Sequence, residues 1–122
     1  VTTHLVARPA YLDDHPDVIE GLLGGHLAAT DYLNTGGADA RRAVNDALEA
    51  ATGKRLADKV IDAAWPHLSF TVDPIASSLA ASARAAEALG LLDKVDLTGI
   101  YDLAPLNQLL AQRGGDQTVK GL

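Results

Sequence analysis

The sequence predicts a predominantly α-helical chain with about five helices and two short strands. Of its 122 residues, 48% are hydrophobic but only 4% are aromatic. Most of the hydrophobic residues are Ala and Leu, which favour helices, whereas strands favour β-branched and aromatic residues. Apolar residues also recur at helical spacing between points marked by Gly and Pro. We therefore expect short helices joined by tight connections.

The N-terminal third predicts one strand followed by one long helix. Residues 1–7 (VTTHLVA) favour extended structure, which ends where a proline follows Arg8. Asp13 or Asp14 can cap the next helix, and Pro16 fits its first turn. One face of this helix collects residues at i, i+3 and i+4 spacing, namely Val18, Ile19, Leu22, Leu23, His26, Leu27, Thr30 and Leu33. The glycines of residues 34–37 (NTGG) end it.

The rest of the chain predicts four further helices and a second strand. Residues 67–72 (HLSFTV) alternate with period two, as in a strand half-buried on Leu68, Phe70 and Val72. The helices are expected at about 38–51, 56–65, 73–89 and 104–112, each bounded by Gly or Pro.

Charge and cysteine content argue against several classes of function. Sixteen acidic and ten basic residues leave a net charge of −6, and the basic residues are scattered. Nucleic-acid binding needs a clustered positive surface, and an acidic chain is poorly attracted to anionic membranes. The absence of cysteine excludes disulfides and thiolate ligands.

The chain contains no methionine. We therefore expect that Val1 follows a removed leader or that the chain is a portion of a longer protein.

Two histidines are candidates for chemistry. His26 lies on the apolar face of the first helix, where a core or interface histidine with its hydrogen bonds satisfied is the simpler interpretation. His15 belongs to the run DDHPD, whose carboxylates and imidazole could suit a divalent cation. Acidic residues at a helix start also complement the helix dipole without any metal, and we favour that interpretation.

The polar group at the start of the first predicted strand is the candidate ligand site. Thr2, Thr3 and His4 precede an apolar continuation. Hydroxyls and an imidazole at a strand end can line a cleft and bind an oxyanion by hydrogen bonds. A plain sheet edge explains the same residues equally well.

Four motifs in order resemble solute-binding proteins of ABC importers for sulfonates, taurine and nitrate. The first motif is a strand that ends in Ala-Arg, followed by a helix that starts with His-Pro-acid-Val-Ile. The second is a helix end with Thr-Gly-Lys, and the third is a strand with the sequence Phe-Thr-x-Asp-Pro. The fourth is a Leu-rich C-terminal segment. In this chain they occupy residues 7–32, 48–56, 68–74 and 89–110. The likeness is strongest to the aliphatic sulfonate branch.

The resemblance implies an α/β parent fold, that of type 2 periplasmic binding proteins. In that fold, residues 1–112 of this chain are the C-terminal part of the first lobe, and residues 113–122 are a flexible tail. It implies a non-enzymatic protein that captures a small organic anion and delivers it to a membrane permease. Thr2, Thr3 and His4 are then the local ligand-binding residues, without cofactor or metal. The expected location is periplasmic or extracellular, with or without a lipid anchor at a preceding N-terminus.

The resemblance also implies partners. An N-terminal half of the same protein is expected to cover the apolar surface and strand edge of this chain. Without that half, the chain is expected to self-associate.

Two other functions remain open from the sequence. A small helical interaction module would suit the Ala-rich faces and the pair Gly24-Gly25, which invites close packing or a bend. A hydrolase that uses His26 or His15, with or without a metal, is the third hypothesis.

Overall fold

The computed structural model describes residues 3–114 and 119–122, and this part of the chain is mostly helical. Helix accounts for 64% of the structure, so the predicted predominance of α-helix is confirmed. The elements of the described residues are α1 (Pro9–Asp14), α2 (Pro16–Thr35), α3 (Gly37–Thr52), α4 (Asp58–Ala64), a 3-10 turn (Trp65–His67), α5 (Ala76–Ala88) and α6 (Ala104–Gln112). None of these helices combines the length and apolar character that a bilayer crossing requires.

The two predicted strands are wrong, because no strand forms within the described residues. Residues 3–7 lack regular structure, and none of the non-helical backbone hydrogen bonds of the described chain involves them. The second segment begins inside the 3-10 turn, and its first residue after that turn, Leu68, has extended backbone. A strand is stable only when a neighbour completes its hydrogen-bond ladder. Local strand preference without such a neighbour leaves both segments irregular.

An additional helix precedes the long one. Arg8 is extended, Pro9 begins α1, and His15 leaves helical geometry at φ −137° before Pro16 begins α2. Asp13 and Asp14 therefore belong to α1, so they do not cap the following helix as predicted. The prolines act twice as helix starts, because each has a preset φ and no N–H to leave unpaired.

The glycines end helices where the sequence predicts. A Cβ on Gly36 would lie 2.7 Å from the Tyr32 carbonyl oxygen, so only glycine fits between α2 and α3. Gly53 takes the left-handed conformation at the end of α3, with φ 71°. The start of α5 differs from its prediction by a few residues, because Ile75 adopts φ 47° and cannot belong to a right-handed helix.

The chain divides into two compact units. Unit 1 comprises Val1–Gly24 and Val72–Leu122, and unit 2 comprises Gly25–Thr71. A Cβ on Gly24 or Gly25 would meet no atom within 4 Å, so the expected close packing of another backbone on this pair is not found. The buried apolar residues among those described are Ile19, Ala76, Leu106 and Val119 in unit 1 and Leu27, Ala40 and Ile61 in unit 2.

Unit 2 depends on a buried asparagine in α3. Asn45 is only 1% exposed. Its Nδ2 donates to the Leu56 carbonyl oxygen at 2.9 Å, and its Oδ1 accepts the Leu56 N–H at 3.0 Å. The Asn45 amide thereby satisfies both the N–H and the carbonyl of Leu56, which lies in the connection to α4. Arg41 and Asp62 add an ion pair of 2.6 Å between α3 and α4.

Unit 1 repeats this arrangement. Asn107 of α6 donates to the Val119 carbonyl oxygen at 3.0 Å and accepts the Val119 N–H at 2.8 Å. Val119 is buried. Residues 115–118 of the predicted flexible tail lie outside the described residues, whereas Val119 is fixed against α6.

We predict that Asn45→Ala lowers the free energy of unfolding by about 2 kcal/mol, since it removes both hydrogen bonds that the buried Asn45 amide makes with the Leu56 backbone. Urea denaturation followed by circular dichroism measures the change. Asn34→Ala is the matched control, because Asn34 is exposed and makes one bond, from Nδ2 to the Phe70 carbonyl oxygen. Equal losses in the two variants would contradict the role given to Asn45.

Candidate functional site

The N-terminal polar group is only partly described. Thr2 lies outside the described residues, and Thr3 is exposed. His4 is half-buried, and its Nε2 lies 3.3 Å from both the Pro74 carbonyl oxygen and the Tyr101 hydroxyl oxygen. The structure therefore connects His4 to two segments of unit 1 that are distant in sequence.

The partners of His4 define the state of its ring. A carbonyl oxygen can only accept a hydrogen bond, so the contact with Pro74 requires a proton on Nε2. The Tyr101 hydroxyl oxygen then accepts from the same N–H, and the His4 and Tyr101 ring centroids lie 6.1 Å apart. His4 thus ties the N-terminal segment to the residue that precedes the strained Ile75. Its predicted ligand contact stays a prediction.

A recess in unit 1 brings together two basic side chains. It has a volume of about 260 Å³ and lies between α5 and residues 94–98. Arg84 and Lys94 both line it, and neither makes an ion pair with any other residue that the structure describes. Ala80, Ala83, Val95 and Leu97 supply an apolar lining. An anion with a short alkyl group could place its charge near the two basic side chains and its alkyl group against the apolar ones.

The two carboxylates of the same recess accept hydrogen bonds from backbone N–H groups. Glu87 accepts the Val95 N–H at 3.0 Å, and Asp96 accepts the Thr98 N–H at 2.9 Å. Hydrogen bonds from the Thr98 backbone, and then from its hydroxyl, hold the pKa of Asp96 below its usual value. These bonds shape the loop that carries Lys94 and engage one oxygen of each carboxylate.

A second recess in unit 1 has different chemistry. It has a volume of about 300 Å³ and lies between α1, the first turns of α2, and α6 with the residues before it. Its floor is apolar, and three carboxylates stand at its rim: Asp13, Glu20 and Asp102. No basic residue lines it. The carboxylates would repel an anion.

The other histidines do not form a metal centre. The His15 ring packs on Tyr11 with centroids 4.5 Å apart. His26 is exposed in this chain, so it is not a core residue, and its predicted role at an interface stays a prediction. The buried positions of that face are Ile19, Leu27 and Thr30. Across residues 3–114 and 119–122, no three His, Cys, Asp or Glu side chains group closely enough to hold a metal ion.

Sequence reasoning missed the two recesses. Arg84 lies in α5 and Lys94 in an irregular connection, so no periodicity relates them. Asp13 and Asp102 come from opposite ends of unit 1 in sequence. The acidic run around His15 was a signal for the second recess, but it was interpreted as a helix start.

No family model matches this chain, and no curated protein or solved structure shows significant similarity to it.

We predict that Tyr101→Phe lowers the free energy of unfolding by about 1 kcal/mol, because the hydrogen bond between the half-buried His4 and Tyr101 side chains is lost while the Pro74 contact remains. The urea midpoint measures this loss. Tyr11→Phe is the control, since Tyr11 is exposed and its ring contact with His15 does not need the hydroxyl. If both variants leave the midpoint unchanged, the tie through His4 contributes nothing to stability.

Proposed function

We propose that this chain is part of the solute-binding component of an ABC importer that captures aliphatic sulfonates or a related small organic anion. The observation that carries the proposal is the order of the four family-like motifs along residues 7–110. Two of their proline and glycine positions coincide with helix boundaries: Pro16 begins α2, and Gly53 ends α3. In this proposal the chain contributes scaffold and part of the anion site, and a membrane permease receives the solute.

The proposal includes an α/β parent fold, in which residues 3–7 would be a strand. Residues 3–7 have the composition of a strand but no ladder partner in the described chain. Val6 is 84% exposed and Leu5 57% exposed. Such side chains are expected on a strand whose neighbours, in this proposal, belong to the N-terminal half of the binding protein. The same half would cover Leu91, which is 78% exposed.

The two basic side chains of the recess beside α5 support an anionic ligand. Arg84 offers a planar set of N–H donors suited to a sulfonate, and Lys94 adds a second positive charge. The apolar residues beside them suit a short alkyl chain. Thr2, Thr3 and His4 are the further proposed contacts, as the family resemblance implies.

The binding test is a titration of ethanesulfonate, taurine and nitrate into the ¹⁵N-labelled chain, followed by amide chemical shifts. We expect shifts at Arg84 and Lys94, and a loss of affinity of at least about tenfold in Arg84→Ala/Lys94→Ala, since charged hydrogen bonds are lost. Shifts confined to Thr3 and His4 would place the anion at the N-terminal group instead.

The matched control for this titration is Arg8→Ala/Lys59→Ala. It removes the same charge from residues outside the recess that make no ion pair with any described residue. An equal loss in this variant would show that binding depends only on net charge. If none of the anions shifts any amide, even when the chain is joined to the coding sequence upstream of Val1, the proposed function is wrong.

A helical interaction module is the second candidate. The exposed apolar side chains favour it, above all Leu89 and Leu91 in the connection between α5 and α6, which are 74% and 78% exposed. Both candidates predict self-association of the isolated chain, and light scattering measures it. They differ when the upstream sequence is added: the solute-binding proposal predicts a monomer, and the interaction module predicts no change.

A further inference from the structure

The groove formed by the second recess has an apolar floor built by three helical segments of unit 1. Leu12 comes from α1, Ile19 from α2 and Leu109 from α6. Ile19 is buried, whereas Leu12 and Leu109 are half-buried and face the groove. Pro16 and Pro105 also line it. The floor therefore offers apolar surface that a bound side chain would remove from water.

The rim of the groove is negatively charged on more than one side. Asp13 and Glu20 are exposed, and neither makes a hydrogen bond or an ion pair with a described residue. Asp102, which precedes α6, is also exposed and accepts the Ala104 N–H at 3.2 Å. Arg113, which follows α6, donates to the Gly24 carbonyl oxygen at 3.2 Å.

The charge and size of the groove select its occupant. Three carboxylates with no lining cation attract a positively charged partner and exclude an anion. Its volume of about 300 Å³ is at the lower end of small-molecule sites, which suits one or two inserted side chains. Grooves between helices commonly receive the apolar face of an amphipathic helix.

We propose that this groove docks a basic amphipathic helix of a partner protein. Leucine-sized side chains of the partner insert between Leu12, Ile19 and Leu109, and its Lys or Arg side chains pair with Asp13, Glu20 and Asp102. This surface is separate from the basic recess of the proposed anion site, since no lining residue is shared. It also does not depend on the proposed solute.

The test uses a fluorescein-labelled model helix of about 18 residues, with Leu on one face and Lys on both flanks of that face. Fluorescence anisotropy measures its binding to the chain. We expect saturable binding that weakens about fivefold in Asp13→Lys, because one attraction becomes a repulsion. Asp13 lies in the last turn of α1, where Lys is compatible with the helix dipole.

Asp93→Lys is the matched control, because it makes the same change of charge at an exposed position of unit 1 outside the groove. We expect it to leave the affinity within about twofold of the original, the effect of a distant screened charge. Equal weakening in both variants would show non-specific attraction and overturn the proposal.

Two further peptides test the apolar and charged parts separately. Replacing Leu by Ser, or Lys by Glu, is expected to abolish saturable binding. If the Ser peptide binds as well as the Leu peptide, the apolar floor is not used and the proposal is wrong. Binding of hexylammonium without binding of the Leu/Lys helix would identify a small-cation site instead and would equally overturn it.

Discussion

The hydrogen-bonded pair between Asn45 and Leu56 is the interaction on which the order of unit 2 most depends. Short helices joined by irregular connections bury few large side chains, and Asn45 is the largest side chain that the described residues bury completely. A buried amide is tolerated only when its donor and acceptor are both satisfied. Leu56 satisfies both, and in return its own backbone is fixed. Asn107 does the same for Val119 in unit 1. These two pairs of side chain–backbone hydrogen bonds position chain segments that have no regular structure of their own.

Hydrogen bonds from side chains also determine where several surface side chains of unit 1 lie. His4 connects the N-terminal segment to Pro74 and Tyr101, and Glu87 holds the loop after α5 through Val95. The second of these ties places Lys94 opposite Arg84. Unit 1 therefore has one recess with two basic side chains and a separate groove with an acidic rim. The first suits the small anion of the proposed solute-binding function, and the second suits a basic partner.

Local patterns predicted the helices well, because their starts and ends depend on single residues. Pro16, Gly36 and Gly53 stand at helix boundaries for reasons of backbone geometry that sequence alone reveals. The strand predictions were wrong because a strand needs a neighbouring strand to hydrogen-bond with, and local sequence does not specify one. His26 is absent from the core for a related reason: it shares a helical face with Leu27, yet no other part of the described chain covers it.

The candidate sites were less predictable than the helices. Thr2, Thr3 and His4 were proposed from the end of a predicted strand, and the strand itself does not form in the described residues. Arg84 and Lys94 come together only because the loop after α5 folds back on the helix, and the bond from Val95 to Glu87 that fixes it has no sequence signature. Ile75 likewise takes a left-handed conformation that its β-branched side chain gives no reason to expect.

In the proposed function, residues 3–7 form a strand only when the rest of a parent sheet is present, and amide hydrogen exchange tests this proposal most directly. The amides of Leu5, Val6 and Ala7 would be measured in this chain alone and in the chain joined to the coding sequence upstream of Val1. The account predicts exchange at the rates of an unstructured peptide in the first case, because these amides have no described backbone partner. It predicts strong protection in the second, where under the proposal a neighbouring strand would accept hydrogen bonds from these amides. Equal exchange rates in the two proteins would contradict it.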